Sequence, residues 1–308
     1  MNVTMWGIVC AVVLGILAVG GSHAQANKAT QTKPLTAVKP AAPTAAQNPL
    51  AAGLAEGLRL QKTPGQELAS RRMLNLVYFH PDATADQKSQ ARKALTALNA
   101  TTIFSAKRYD GDPVAYAHTV RAGDTLAALA KQNGCPIDIL VQINGLKNAN
   151  ALRADSTIKL LRGPFRAQIS KRDCTLDIYA QGRNGEKTLV YHARVSVGRN
   201  NGTPEGDFRI GGKAEKATWY PPSSMKAAHP APVKWGEKGY PLGKDGIFMR
   251  LDGATPATEK CKGYGIHSTN DQASIGKARS HGCIRVGDGD IRTVYRLLAT
   301  GADVKIVP

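Results

Sequence analysis

Two short stretches decide how this 308-residue chain is read: Tyr264-Gly265-Ile266-His267-Ser268-Thr269 and Ser280-His281-Gly282-Cys283-Ile284-Arg285. A thiol nucleophile needs a base to take its proton, and that base needs an orienting group. It also needs hydrogen-bond donors aimed at the charge that develops on a carbonyl oxygen. Cys283 and His267 supply the nucleophile and the base. Gly282 permits close backbone approach, which makes the amides beside Cys283 candidate oxyanion donors. The backbone at Ser268 is the candidate for orienting the imidazole. Taken singly, a histidine in a strand is usually a satisfied structural residue, and a lone cysteine is usually buried and inert. The two together carry the argument.

Around these stretches the pattern is mostly strand. Phe165 to Ser170 and Thr175 to Ala180 alternate with period two, and Leu189 to Val197 is a longer run of the same kind. Phe208 to Ile210 and Ala302 to Val307 add further strands. One helix is expected from about Asp290 to Ala299, with Ile291, Val294, Leu297 and Leu298 on one face and Gly301 after it. The expectation for residues 163–308 is a mostly-β domain with one C-terminal helix.

These residues resemble the L,D-transpeptidase catalytic domain, the YkuD-type fold. That family has a histidine, a fixed interval, then S/T-H-G-C, a hydrophobic residue and Arg or Asn. Here His267 precedes Cys283 by sixteen positions and Arg285 follows. Thr203-Pro204-Glu205-Gly206-Asp207-Phe208 resembles the family's T-P-x-G-x-F element, Trp219-Tyr220-Pro221-Pro222 its W-Y-P-P, and Ser274-Ile275-Gly276 its S-I-G. The chain departs from the family's common pattern in having Ser268 where Gly often follows the histidine, and Asp288 where Asn is usual. The resemblance implies that His267 deprotonates Cys283, which attacks the carbonyl after the third residue of a tetrapeptide stem. D-alanine leaves, a thioester remains, and the side-chain amine of a second stem attacks to join third residues. Water as acceptor gives L,D-carboxypeptidase activity instead. Arg285, Ser280, His281 and Tyr220 are the implied substrate-binding residues. A wall-binding protein without activity is the alternative of another class, against which the His267 and Cys283 pair stands. No C-x-x-C or H-E-x-x-H spacing points to zinc. No metal or cofactor is expected.

Upstream, residues 116–161 read as strand, helix, helix, strand. Asp124 or Thr125 caps a helix carrying Leu126, Leu129 and Ala130, and Gly134 ends it. Pro136 suits the first turn of a second helix, which stops at Asn144-Gly145. Thr157 to Leu160 closes the unit. The V-x-x-G-D-T-L opening and L-x-x-x-N at Leu140 to Asn144 resemble a LysM module. That resemblance implies a shallow groove for N-acetylglucosamine-containing glycans near Gly123, Asp124, Thr125 and Asn144. The whole chain is thus expected to be an α+β multidomain protein, a small βααβ module followed by the mostly-β catalytic domain.

The N-terminal residues place this chemistry. Met5 to Gly21 is an uncharged apolar run followed by Ser22-His23-Ala24, so 1–24 reads as a secretory signal peptide, or as a membrane anchor if it is not cleaved. Residues 25–53, rich in Ala, Pro and Lys, read as a disordered tether. Residues 54–115 read as a spacer, with a helix from about Ala85 to Leu98 behind a Thr84/Gln87 capping box. Met73 to Phe79 fits either strand or buried helix. The 41 Lys+Arg against 23 Asp+Glu leave +18, which suits a polyanionic neighbour. Export points away from nucleic acid and towards peptidoglycan glycan strands and stem peptides, in the periplasm or cell wall. Of the five cysteines, Cys10 lies in the export segment. Cys174 with Cys261 is a conceivable disulfide, and free thiols at Cys135, Cys174 and Cys261 are the alternative.

Overall fold

Three helices open the described part of the chain: α1 (Pro49–Gln61), α2 (Glu67–Tyr78) and α3 (Ala85–Thr102). The computed structural model describes residues 49–182, 185–222, 225–227 and 230–308. The signal or anchor segment at 1–24 and most of the expected tether lie outside them. The last part of that tether, 49–53, is helical instead. Pro49 begins α1, where a missing N–H costs nothing because the first amides of a helix have no intrahelical partner. The Met73–Phe79 ambiguity resolves as helix through Tyr78. At the start of α3, Thr84 Oγ1 accepts from the Gln87 amide at 3.2 Å, and Gln87 Oε1 accepts from the Thr84 amide at 2.9 Å. Leu54, Leu74, Val77, Ala91, Leu95 and Leu98 form the helices' own core, to which Leu189 of the following domain belongs.

The βααβ module comprises β1 (Ala115–Thr119), α4 (Leu126–Gln132), α5 (Ile137–Ile143) and β2 (Thr157–Leu161), with β1 and β2 antiparallel. Thr125 is the residue that caps α4, accepting from the Ala128 amide at 3.2 Å.

The remaining strands are β3 (Phe165–Ser170), β4 (Thr175–Gln181), β5 (Lys187–Gly198), β6 (Gly206–Ala214), β7 (Phe248–Gly253), β8 (Gly265–Ser268), β9 (Ala278–Ser280), β10 (Ile284–Val286) and β11 (Asp303–Val307), with α6 at Ile291–Leu297. They run in the order β10-β8-β7-β6-β11-β3-β4-β5, and an antiparallel β10–β5 pairing closes the barrel. Strand β9 pairs in parallel with the end of β5. Alternation along β3 turns Phe165, Ala167 and Ile169 inward, and Ile178, Val195, Phe208, Leu251, Ile266, Ile284 and Val304 complete the barrel core. Each of the larger side chains among them stabilises the fold by roughly 2 kcal/mol.

All the described residues belong to one compact unit, and polar contacts join its parts. Asn99 Nδ2 donates to Leu189 O at 2.7 Å, and the Leu189 amide donates to Asn75 Oδ1 at 2.7 Å. Lys159 of β2 is fully buried. Its ammonium donates to the carbonyls of Thr102, Ser105 and Lys107 at 2.6, 3.0 and 2.8 Å. Those carbonyls lie at and beyond the C-terminal end of α3, where helix carbonyls lack partners and a cation is favoured. Burial pushes this lysine down to about 8, with the Asp112 charge opposing. Arg71 of α2 and Asp112 form a second buried ion pair. The residues read as a spacer are therefore attached on one side to the module and on the other to the barrel.

Candidate active site

His267 lies on β8 and Cys283 immediately precedes β10, and these two strands run side by side in parallel. The register puts Arg285 opposite His267. Two positions earlier, Cys283 falls level with Gly265, whose lack of a side chain makes room for the Phe248 ring, which a Cβ there would meet at 2.5 Å. Two residues of strand rise about 7 Å, which an imidazole and a thiol on the same face can span. Phe248 of β7 is the register partner of His267 on its other side, and the rings stack at 6.2 Å with an interplanar angle of 20°. The row Phe248, His267, Arg285 thus crosses three neighbouring strands.

His267 Nδ1 lies 2.6 Å from the Ser268 carbonyl oxygen. A carbonyl only accepts, so Nδ1 carries the proton and Nε2 is left as the basic nitrogen. The Ser268 hydroxyl is buried and fully engaged. It accepts from the Ile247 amide at 2.9 Å and donates to Leu242 O. A glycine there would lose both of these bonds and keep the backbone bond from the residue-268 amide to Ile247 O at 3.0 Å.

Both side chains, His267 and Cys283, keep one side open to solvent while protein packs densely around the rest. Burial pushes His267 down to about 4, Arg285's charge acting in the same direction and the Ser268 carbonyl opposing. Burial pushes the Cys283 thiol up, opposed by the Gly265 amide and Arg285. The resting pair is therefore neutral thiol beside neutral imidazole. Alkylation of Cys283 by iodoacetamide should rise with pH to a midpoint above 9, without a plateau at neutral pH. A half-maximal rate below pH 7 would instead show a preformed thiolate–imidazolium pair. The shift of His267 also bears on stability. From the ordinary histidine value of 6.5 down to about 4, the unfolded chain takes up a proton that the folded imidazole refuses, so stability falls as pH falls through that window.

The turn carrying Cys283 is held from inside. Ser280 Oγ donates to Cys283 O at 2.6 Å and accepts from the Gly282 amide at 3.0 Å. Two expectations change here. The Gly282 amide is engaged within the turn, so it is not available as an oxyanion donor. Ser280 is buried, so it supports the turn and does not face a substrate. Gly282 has φ +143°, and a Cβ there would come within 2.8 Å of the Tyr264 ring and 2.9 Å of Gly202 O. The Cys283 thiol donates to Gly263 O at 3.7 Å. Arg285 Nη1 donates to Asp271 Oδ2 at 3.0 Å, which fixes the guanidinium beside the pair. His281 is exposed and meets Arg199 at 3.1 Å. Asp288, the second departure from the family pattern, accepts from Gln272 Nε2 at 3.1 Å and faces Lys244 at 3.6 Å. Tyr220 is 72% exposed, on the long connection from β6 to β7. The sequence reading missed Phe248 and Asp271, because each meets its partner far away in sequence. All four described cysteines are free thiols, Cys174 and Cys261 included.

In the small module, Asn144 Nδ2 donates to the carbonyls of Leu140 and Lys159, and its Oδ1 accepts from the Lys159 amide at 2.7 Å. Its side-chain amide is spent on tying α5 to β2, which leaves its backbone for any sugar contact. Asp124 accepts from the Arg121 amide at 2.9 Å and lies 2.8 Å from His118 Nε2. That amide and His118 hold its carboxyl below the usual range. With Thr125 as the α4 cap, only Gly123, at φ +88° with open space around it, has no structural duty beyond its turn.

Comparison with known proteins agrees with this geometry. Residues 164–306 match the L,D-transpeptidase catalytic domain (YkuD), and residues 118–160 match the LysM domain. A Bacillus licheniformis protein named as the L,D-transpeptidase YkuD is 27% identical over 198 residues, covering 62% of this chain and 98% of the relative. An Escherichia coli protein named as the L,D-transpeptidase YcfS is 26% identical over 200 residues, 60% of this chain and 59% of that one. The Bacillus subtilis protein named YqjB, also as an L,D-transpeptidase, is 30% identical over 113 residues, 36% of this chain and 56% of the relative. The chain thus spans less than two thirds of the second and third relatives. With a cysteine, a histidine of fixed tautomer and a matching domain in one place, residues 164–306 form a cysteine-dependent L,D-transpeptidase catalytic domain of the YkuD family, carried on one chain with a LysM domain.

Proposed function

We propose that the protein is an exported enzyme that cross-links peptidoglycan between the third residues of neighbouring stem peptides. The observation that carries this reading is the 2.6 Å contact between His267 Nδ1 and Ser268 O. It leaves Nε2 as a base on the strand beside the nucleophile turn. As Cys283 attacks the carbonyl after the third residue of a tetrapeptide stem, its proton passes to Nε2. The imidazolium then protonates the departing D-alanine amine, and a thioester remains. A neutral resting pair suits this order, because proton transfer and attack occur together once a substrate closes the open side. The Cys283 amide is the donor proposed for the developing oxyanion, since that of Gly282 is engaged. The side-chain amine of a second stem resolves the thioester, with His267 again taking a proton.

Arg285, held by Asp271, offers its charge to a stem carboxylate. The LysM domain is proposed to hold glycan through backbone groups near Gly123, since the side chains of Asp124, Thr125 and Asn144 are committed to the module. The high positive charge adds a general attraction to the anionic envelope.

Mass spectrometry of disaccharide-tetrapeptide muropeptides incubated with the protein tests the reaction. Cross-linked dimers with free D-alanine support it. Tripeptides alone would make the enzyme an L,D-carboxypeptidase, and unchanged muropeptides would refute the activity. Retention on insoluble peptidoglycan at high salt supports glycan recognition. Complete release by salt would leave charge as the sole attraction.

A further inference from the structure

We propose that Thr203 is a positioning residue that aims the Cys283 amide at the oxyanion. Thr203 is fully buried, at the end of the segment that follows β5. Its Oγ1 accepts from the Gly198 amide at 2.7 Å and donates to Gly282 O at 2.7 Å. A hydroxyl has a single proton, so the direction of the second bond is set by the first. Gly282 O and the Cys283 N–H belong to the same peptide unit. In a trans peptide these two groups point in opposite directions. Holding the oxygen on Thr203 therefore turns the Cys283 N–H to the side away from Thr203 and keeps it there.

The rest of the turn cannot fix this plane. Ser280 holds the peptide units on either side of it, through the Gly282 amide and the Cys283 carbonyl. The plane between them is secured by Thr203. Gly282 at φ +143° sits where a residue with a side chain is strained, so local backbone preference does not secure it either. The surrounding contacts keep Thr203 in register: Gly198 pairs with Ser280, and Arg199 meets His281.

The inference rests on the proposed thioester chemistry but is testable without peptidoglycan. Acylation of Cys283 by p-nitrophenyl acetate forms a thioester, expels p-nitrophenolate and passes through an oxyanion. Alkylation by iodoacetamide displaces iodide and develops none. In the full chain, Thr203→Val should slow acylation by about 10- to 100-fold, while alkylation stays within about threefold. Thr203→Ser, which keeps the hydroxyl, should restore acylation. Three results would overturn the proposal: acylation by the valine variant within threefold of the parent, a parallel fall in both reactions, or a serine variant as slow as the valine one. A parent that acylates readily yet leaves muropeptides unchanged would count against the proposed substrate and leave the clamp supported by the contrast between reagents.

Discussion

Cys283→Ala should abolish both D-alanine release and dimer formation from tetrapeptide muropeptides, a loss of at least about four orders of magnitude. Among the described residues the other thiols are Cys261, half-exposed, and Cys135 and Cys174, both buried. Burial pushes Cys135 up to about 12, so it stays protonated and inert. The substitution removes little that supports the fold, because the Cys283 side chain makes only weak sulfur bonds, to Gly263 O at 3.7 Å and from the Gly265 amide. The thermal midpoint should therefore stay within a few degrees of the parent. Product formation above a few per cent in a correctly folded Cys283→Ala protein would defeat the covalent mechanism. The LysM domain is untouched by this change, so retention on insoluble peptidoglycan should persist.

The largest effect on stability is expected from Asp112→Ala. Arg71 and Asp112 are almost wholly shielded, at 2% and 1% side-chain exposure. Asp112 Oδ1 also accepts from the Val114 amide at 2.8 Å, and its carbonyl accepts from Arg162 at 2.9 Å. Arg71 is on α2, and Asp112 is on the segment entering β1. The pair thus joins the helices to the module. Removing the carboxylate leaves a buried guanidinium without its counter-charge, which costs about 3–5 kcal/mol. For a unit of this size that lowers the melting temperature by roughly 10 °C. The double variant Arg71→Met with Asp112→Ala should be closer to the parent than Asp112→Ala alone, since the stranded charge is gone. A single variant that melts within about 2 °C of the parent would show that water reaches this site. Catalysis at 25 °C should be little changed in whatever fraction remains folded, because no group of the catalytic pair touches either residue.

The local elements were legible because their causes are local. The α3 capping box involves Thr84 and Gln87, three residues apart, and β3 declares its buried face by alternation. Pro49 misled for an equally local reason. Proline breaks a helix interior but suits its first turn, and only the helix that follows tells the two apart. Lys159 reads as an ordinary surface lysine in a strand. Its burial depends on three carbonyls more than fifty residues earlier, a coincidence no window of sequence displays. Asn144 and Asp124 lie at helix ends, where capping and ligand binding ask for the same side chains. Their hydrogen bonds decide for the module.

By itself the sequence determined the chemistry: a thiol, an imidazole sixteen positions earlier, and the family elements in order around them. These are properties of residue type and spacing. Only the tertiary structure decided which nitrogen of His267 is basic, which amides near Cys283 remain for an oxyanion, and that the supposed spacer is joined to both domains. Those outcomes depend on where each donor meets its acceptor. The partners involved, such as Thr203 with Gly282 or Lys159 with Thr102, come together only when the barrel closes and the helices dock.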